Sequence, residues 1–408
     1  MKKEELLQFY FGFDKLKDYQ EEIIDNLMNG KDVIGLLPTG YGKSITFQLP
    51  ALMLDGLTIV VSPLIALMQD QVMHLKENGI SAEYINSLQS IDEQELIYDK
   101  LKLNKIKILY VSAERLQNHK FINNIINLDI DLFVCDEAHT LLWSEDFRYA
   151  LGEIPLFLEK LKKRPKMLAL TATSTDNTSN KITNLLKLSN PIIVRGNPDR
   201  PNIFYKIIKT KDKDRDLYFY IKDKIKEHIL IYCLTIKKVT HVANYLKEKG
   251  IDVLIYHGAL ESDEKKKALI SYKNRKTNII VCTNAFGMGI DIPDIRYVIE
   301  YDLPQSIEDF SQQTGRVSRD GKNGEAILLF NINDIKTIEY FIDNIEDESK
   351  SSKELKRIKD DRKEKLDKVI NLAISNKCIH KTLSEYFGFK YDNKCNMCSN
   401  CVKNKYRV

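Results

Sequence analysis

The sequence predicts an α/β protein: two tandem domains built on parallel sheets, followed by a small helical module that carries four clustered cysteines. Three observations lead there. The first is length, because 408 residues exceed the roughly 100–150 that one domain usually organises. The second is alternation. Short apolar, β-branched runs at 32–37, 58–61, 106–111, 131–135 and 167–170 are followed by a second series at 229–233, 253–256, 278–282, 297–299 and 326–330. Between them lie amphipathic stretches such as 64–78 and 237–249, and strand–helix–strand repetition predicts parallel sheets with helices on both faces. The third is where the pattern breaks. Residues 195–202, RGNPDRPN, hold two prolines and a glycine and read as a linker. Near residue 343 the strand signals stop, and 346–367 is highly charged. The expected division is therefore 1–196, 197–342 and 343–408.

Composition bounds the class. With 43% hydrophobic and 29% charged residues the chain reads as globular. No apolar run approaches the roughly 18–20 residues that cross a bilayer. The N-terminus MKKEELLQFY lacks the apolar stretch and small-residue cleavage site of a secretory signal, which predicts a cytoplasmic protein. The net charge of +4 is unevenly spread, since 350–408 holds 16 basic against 7 acidic residues. Such a tail fits a polyanionic partner, or alternatively a solvated lysine-rich helix. Of seven cysteines, Cys135, Cys233 and Cys282 stand alone in apolar runs and are expected to be buried. Cys378, Cys395, Cys398 and Cys401 cluster, which in a cytoplasmic protein suggests metal before disulfides.

Residues 32–44, DVIGLLPTGYGKS, read as a strand, a glycine-containing loop and a helix start. Glycines let backbone N–H groups approach phosphate oxygens, and the helix N-terminus adds donors and a favourable dipole. Thr39, Gly40 and Gly42 would cradle phosphate, Lys43 would reach the β- and γ-phosphates, and the Ser44 hydroxyl would ligate Mg²⁺. Leu37 stands where the pattern G-x-x-x-x-G-K-[ST] has its first glycine. A second signal supports the first: 131–139, DLFVCDEAH, is an apolar strand ending in two acids. Asp136 is placed to hold Mg²⁺ and Glu137 to orient or deprotonate the attacking water. A third lies in the other domain, where 312–321, QQTGRVSRDG, spaces Arg316 and Arg319 three apart on an expected helix start. Arginines there can stabilise charge developing on a γ-phosphate, although surface salt bridges are the commoner fate of such pairs.

Cys378, sixteen residues and then Cys395-x-x-Cys398-x-x-Cys401 supply four thiolates for tetrahedral Zn²⁺ with no open position, which reads as structural. An iron–sulfur cluster is the rival. His380 is surplus to such a set and is expected at the surface. The basic helix expected over 353–375 would pack beside the metal and touch phosphate.

Taken together these motifs resemble a superfamily 2 helicase, and within it the RecQ family, from about residue 7 to 401. FGFDKLKDYQ at 11–20 resembles the family's adenine-recognition motif, with Gln20 implied to read the adenine edge and Lys17 standing where the family has arginine. VSPLIALMQD at 61–70 and VSAERL at 111–116 resemble backbone-gripping motifs, and LTAT at 170–173 the one linking hydrolysis to domain movement. In the second domain Tyr232-Cys233, YHGAL at 256–260, AFGMGID at 285–291, YDLP at 301–304 and DRPN at 199–202 also fit. The resemblance implies two RecA-like domains, with ATP in a cleft between Gln20, Lys43, Ser44, Asp136 and Glu137 on one wall and Gln312, Arg316 and Arg319 on the other. It further implies an ATP-dependent DNA helicase, a monomer moving 3′→5′ on single-stranded DNA and opening forked duplexes in repair and recombination in a prokaryotic cytoplasm. After the acids, LLWSEDFR resembles the family's aromatic-rich loop, with Trp143, Phe147 and Arg148 implied to meet DNA. A base stacked on tryptophan gains about 1–3 kcal/mol.

The departures have chemical content. Lysine cannot stack as a planar guanidinium does. The aromatic-rich loop is one residue shorter before Trp143, and Glu145 replaces a histidine where a carboxylate should repel phosphate. Ile236 and Thr240 replace an arginine and a glutamate, Ser318 a glycine, and Gln313 an acid. Longer members continue past the equivalent of Val408 into a winged helix and a small helical domain, so weaker unwinding is expected. Two alternatives follow: an ATP-driven translocase without strand separation, and a DNA-binding or strand-annealing factor uncoupled from hydrolysis.

Overall fold

The computed structural model describes residues 2–38, 40–63, 65–87, 89–138, 154–171, 176–286, 292–347, 350–392 and 395–403. It divides into two compact units, Met1–Asn197 and Pro198–Val408. In the first, the described strands are β1 (Val33–Leu36), β2 (Leu57–Val61), β3 (Ala82–Ile85), β4 (Ile108–Val111), β5 (Ile130–Cys135), β6 (Lys166–Thr171) and β7 (Ile192–Arg195). They form one sheet ordered β3-β4-β2-β5-β6-β1-β7, parallel throughout. In the second, β8 (Ile203–Lys209), β9 (His228–Tyr232), β10 (Leu254–Tyr256), β11 (Ile279–Cys282), β12 (Ile295–Glu300) and β13 (Gly324–Phe330) form a parallel sheet ordered β10-β11-β9-β12-β13-β8.

Period-two alternation sends neighbouring strand residues to opposite faces. Ile34, Leu36, Ile59 and Val61 pack on one face with Phe121, Ile125 and Phe157 from helices. Val33, Val60, Val134 and Leu168 pack on the other with Ile23, Phe47 and Val72. Both faces are thus covered, as continuous apolar strands require. The second sheet repeats the pattern, with Val239, Val242 and Leu246 beneath one face. Its other face shares a core with Leu366, Val369, Leu372, Ile379, Leu383, Cys398 and Cys401, so the cysteine module completes that core. Cys135, Cys233 and Cys282 are buried as expected, and burial pushes their thiols up, Cys135 to about 12.

β3, β7 and β8 were not among the expected strands. β3 and β7 are edge strands of four residues, and half-buried Glu83 and Tyr84 in β3 and exposed Ile193 in β7 break the buried apolar pattern. β8 alternates buried Ile203, Tyr205 and Ile207 with half-exposed Phe204, Lys206 and Ile208, and follows directly on the proline-rich segment. Among the described residues no helix is long and apolar enough to cross a membrane.

Candidate functional site

Leu37 shows why the phosphate loop departs from its pattern. Its N–H donates to Thr171 O at 2.9 Å, continuing the β1–β6 ladder, and its side chain is fully buried. The residue belongs to the sheet, and the turn begins at Pro38. Gly40 and Gly42 sit at φ 82° and 70°, the left-handed region that costs other residues about 1–2 kcal/mol. A Cβ on Gly42 would also lie 2.7 Å from Gln20 Nε2. Ser44 precedes the helix Ile45–Met53 without its hydroxyl capping it.

Gln20, buried on the helix Asp18–Met28, braces this loop. Its Nε2 donates to Tyr41 O at 3.2 Å and Gly42 O at 3.1 Å, while Oε1 accepts from Lys17 N at 2.9 Å. Tyr19 Oη donates to Tyr41 O at 2.9 Å. Lys17 Nζ lies 5.2 Å from the Tyr41 ring centroid and 5.9 Å from that of Tyr19, within cation–π range. Tyr19 and Tyr41 went unnoticed in the sequence. An aromatic residue between two loop glycines was the available signal.

At the end of β5, Asp136 N donates to Val61 O at 2.9 Å, which fixes the acid at the sheet's C-terminal edge. Glu137 then turns at φ 48°, and its N–H donates to Asp136 Oδ1 at 2.9 Å. Lys43 Nζ donates to Glu137 Oε1 at 2.6 Å, with side chains 13% and 16% exposed. The structure therefore brings together Gln20, Gly42, Lys43, Asp136 and Glu137. Loss of solvent pushes the Asp136 carboxyl up to about 6, the Glu137 charge adds to this, and Lys43 opposes it.

In the second unit Arg316 and Arg319 follow the C-terminus of the helix Ile307–Thr314, which corrects the expected helix start. The apolar face of that helix precedes the pair, and Gly315 ends it. Arg316 is 6% exposed. Its charge acts on Tyr232, Cys282 and Glu300, and among the described residues its buried Nε meets no acceptor. Burial raises the Glu300 carboxyl well above its usual range, Asp309 and Asp302 add to this, and Arg316 opposes it. In the amide orientation that satisfies its neighbours, Gln313 donates to both Glu300 oxygens at 3.0 Å. Arg319 and Gln312 are partly exposed. Ser318 occupies φ 45°, which accounts for glycine in the motif, and here its Oγ accepts from Arg296 Nη1 at 2.7 Å.

The four clustered cysteines carry free thiols whose sulfurs all lie within 4.8 Å of one another. Cys378–Cys395 and Cys395–Cys401 are 3.3 and 3.7 Å apart, against about 3.8 Å for the tetrahedral edge that Zn–S bonds of about 2.3 Å create. The set fits a structural zinc ion. His380 corrects the surface expectation: it is 2% exposed, with Nδ1 2.6 Å from Asp199 Oδ1 and Nε2 3.1 and 3.2 Å from Ile203 O and Met397 O. Tyr205 N donates to Met397 O at 3.1 Å, so the cysteine loop covers the edge of β8.

Thr39, Trp143, Glu145, Phe147 and Arg148 lie outside the described residues.

Three family models tile the chain: DEAD/DEAH box helicase over 17–182, helicase conserved C-terminal domain over 212–321, and RecQ zinc-binding over 332–402. The chain is 35% identical over 402 residues to the ATP-dependent DNA helicase RecQ of Bacillus subtilis, covering 97% of this chain and 66% of that protein. It is also 35% identical to a putative ATP-dependent RNA helicase of Acanthamoeba polyphaga mimivirus, covering 98% of this chain and 72% of that one. It spans 62–66% of the length of the first bacterial relatives. The fold is similar to that of Saccharomyces cerevisiae Dbp5 bound to RNA and ADP BeF3, with TM-score 0.67, 19% identity, and 89% and 97% of the two chains covered. The matched relatives and the zinc-binding segment agree: the chain belongs to the RecQ family of helicases.

Proposed function

We propose that this chain is an ATP-dependent DNA helicase, a motor that hydrolyses ATP to move 3′→5′ along single-stranded DNA and part duplexes during repair and recombination. The observation that carries the reading is the cluster of Lys43, Asp136 and Glu137 at the C-terminal ends of β1 and β5. A phosphate loop beside paired acids on a parallel sheet is the constellation that phosphoryl transfer to water uses.

In this mechanism Gly40, Gly42 and Lys43 receive the phosphates, and Lys43 exchanges Glu137 for the γ-phosphate. Thr39 and the Lys17 and Gln20 side chains belong to the same nucleotide site. Ser44 and Asp136 would hold Mg²⁺, whose charge neutralises the β- and γ-oxygens. Released from Lys43, Glu137 orients the attacking water. Arg316 and Arg319, with Gln312 beside them, stabilise the charge that develops on the γ-phosphoryl group. Trp143, Phe147 and Arg148 contact the single strand, and the basic 350–408 segment adds salt-dependent affinity. The protein acts as a monomer on single-stranded and forked DNA in the cytoplasm.

The test is ATP turnover with single-stranded DNA, duplex DNA or single-stranded RNA, beside strand displacement on a forked duplex. Stimulation by single-stranded DNA with displacement supports the reading. Stimulation without displacement reduces it to translocation, and greater stimulation by RNA overturns the choice of substrate.

A further inference from the structure

The segment 199–202 touches the cysteine module with one residue and the arginine-bearing loop with the next. Arg200 Nη1 donates to Gly315 O at 3.4 Å, and its Nη2 donates to Val317 O at 3.0 Å and Ser318 O at 2.9 Å. These carbonyls follow the C-terminus of the helix Ile307–Thr314, the negative end of its dipole, where a cation is favoured. Gly315 O lies in the peptide that enters Arg316, and Val317 O and Ser318 O lie in the peptides beyond Val317, so the guanidinium holds the chain on both sides of Arg316. Nε donates to Asn202 Oδ1 at 3.2 Å, which holds the fork in place. Asn202 Nδ2 in turn donates to Ser318 O at 3.1 Å and Lys322 O at 2.8 Å. On the other side Asp199 meets His380, whose far nitrogen faces Met397 O inside the cysteine loop.

We propose that Arg200 is a positioning residue for Arg316, and that Asp199, held by His380, ties this clamp to the cysteine module. The proposal rests on the ATPase reading above. A planar fork with five donors can serve three carbonyls at once, whereas an ammonium is a compact point charge. A displacement of about 1 Å in a catalytic group can cost about 10²-fold in rate, so a clamp on the backbone either side of Arg316 matters to turnover more than to ATP binding.

The experiment measures ATP turnover with a single-stranded oligodeoxynucleotide for the wild type, Arg200→Ala, Arg316→Ala and the double variant, with zinc content and far-ultraviolet circular dichroism recorded for each. Arg200→Ala is expected to lower kcat about tenfold or more while KM for ATP changes less than about threefold. Because Arg200 acts through Arg316, the double variant should turn over no more slowly than Arg316→Ala alone. Turnover of Arg200→Ala within twofold of wild type, or additive losses in the double variant, overturns the inference and leaves the ATPase reading intact. A wild type that hydrolyses no ATP overturns both. Should Arg200→Ala lose zinc or helicity, Arg200→Lys decides by the same split: reduced kcat with KM kept supports the clamp, and unchanged kcat refutes it.

Discussion

The phosphate loop and the arginine loop reach their geometry by different routes. In the first unit the loop is shaped locally, by two glycines with positive φ and a helix that opens at Ile45, with support from Lys17, Tyr19 and Gln20 on one neighbouring helix start and from Glu137. In the second unit the arginine loop is shaped from a distance, by Arg200 and Asn202, which lie 115 to 120 positions earlier. A locally shaped loop should tolerate damage far away but not within it, whereas a remotely held loop should respond to its supports.

Changes at the chemistry separate the two most sharply. Lys43→Ala should lower DNA-stimulated ATP turnover by about 10³-fold, the scale on which one preorganised charge contributes to a transition state, while leaving zinc content unchanged. Steady-state hydrolysis checks this, and turnover within tenfold of wild type contradicts it. Zinc belongs to the other half. Cys398→Ala, or chelation, should destabilise the second unit by about 4 kcal/mol or more, as loss of a structural metal does, and denaturant unfolding reads the change. Equal stability with and without metal would show that the shared apolar core suffices alone.

The first unit has its own remote support in Asp32. This buried acid accepts from Arg164 at 3.1 and 2.6 Å, from Met167 N at 3.2 Å and from Ser189 N at 2.7 Å, which joins the starts of β1 and β6. Asp32→Ala should cost about 3 kcal/mol, because it strands buried donors. Thermal unfolding measures it, and a loss below about 1 kcal/mol would remove Asp32 from the account.

Much of this was legible in the sequence, for a physical reason. Lys43, Ser44, Asp136 and the four cysteines sit in short motifs whose spacing follows from backbone geometry. Arg200, Asn202 and His380 read in the sequence only as a linker and a spare histidine, because most of their partners are backbone carbonyl oxygens, which every residue has. β8 was missed likewise: Tyr205 and Ile207 are buried partly by the cysteine loop, which sequence separation hides.

Two smaller effects refine the contrast. Burial pushes the Asp136 carboxyl up from an ordinary 3.8 to about 6. The folded chain therefore holds this proton more tightly than the unfolded one, and the group's contribution to stability, full below about 4, is lost as pH rises through about 6. Metal binding runs the other way. Turnover should fall as pH drops below 6, approaching about tenfold per unit, and a flat profile between 5 and 7 would contradict the assignment. Ser318→Gly should change stability by less than about 1 kcal/mol, since relief at positive φ offsets the lost bond to Arg296. A calorimetric shift larger than that would mean the serine has another role.

The proposed function requires that acids and a lysine of one unit and arginines of the other serve one hydrolysis. Arg316→Ala tests it most directly when ATP binding and single-turnover hydrolysis are measured on the same preparation with single-stranded DNA. The account predicts binding within about threefold of wild type and hydrolysis slowed by about 10²-fold or more. Undiminished hydrolysis by that variant would contradict it.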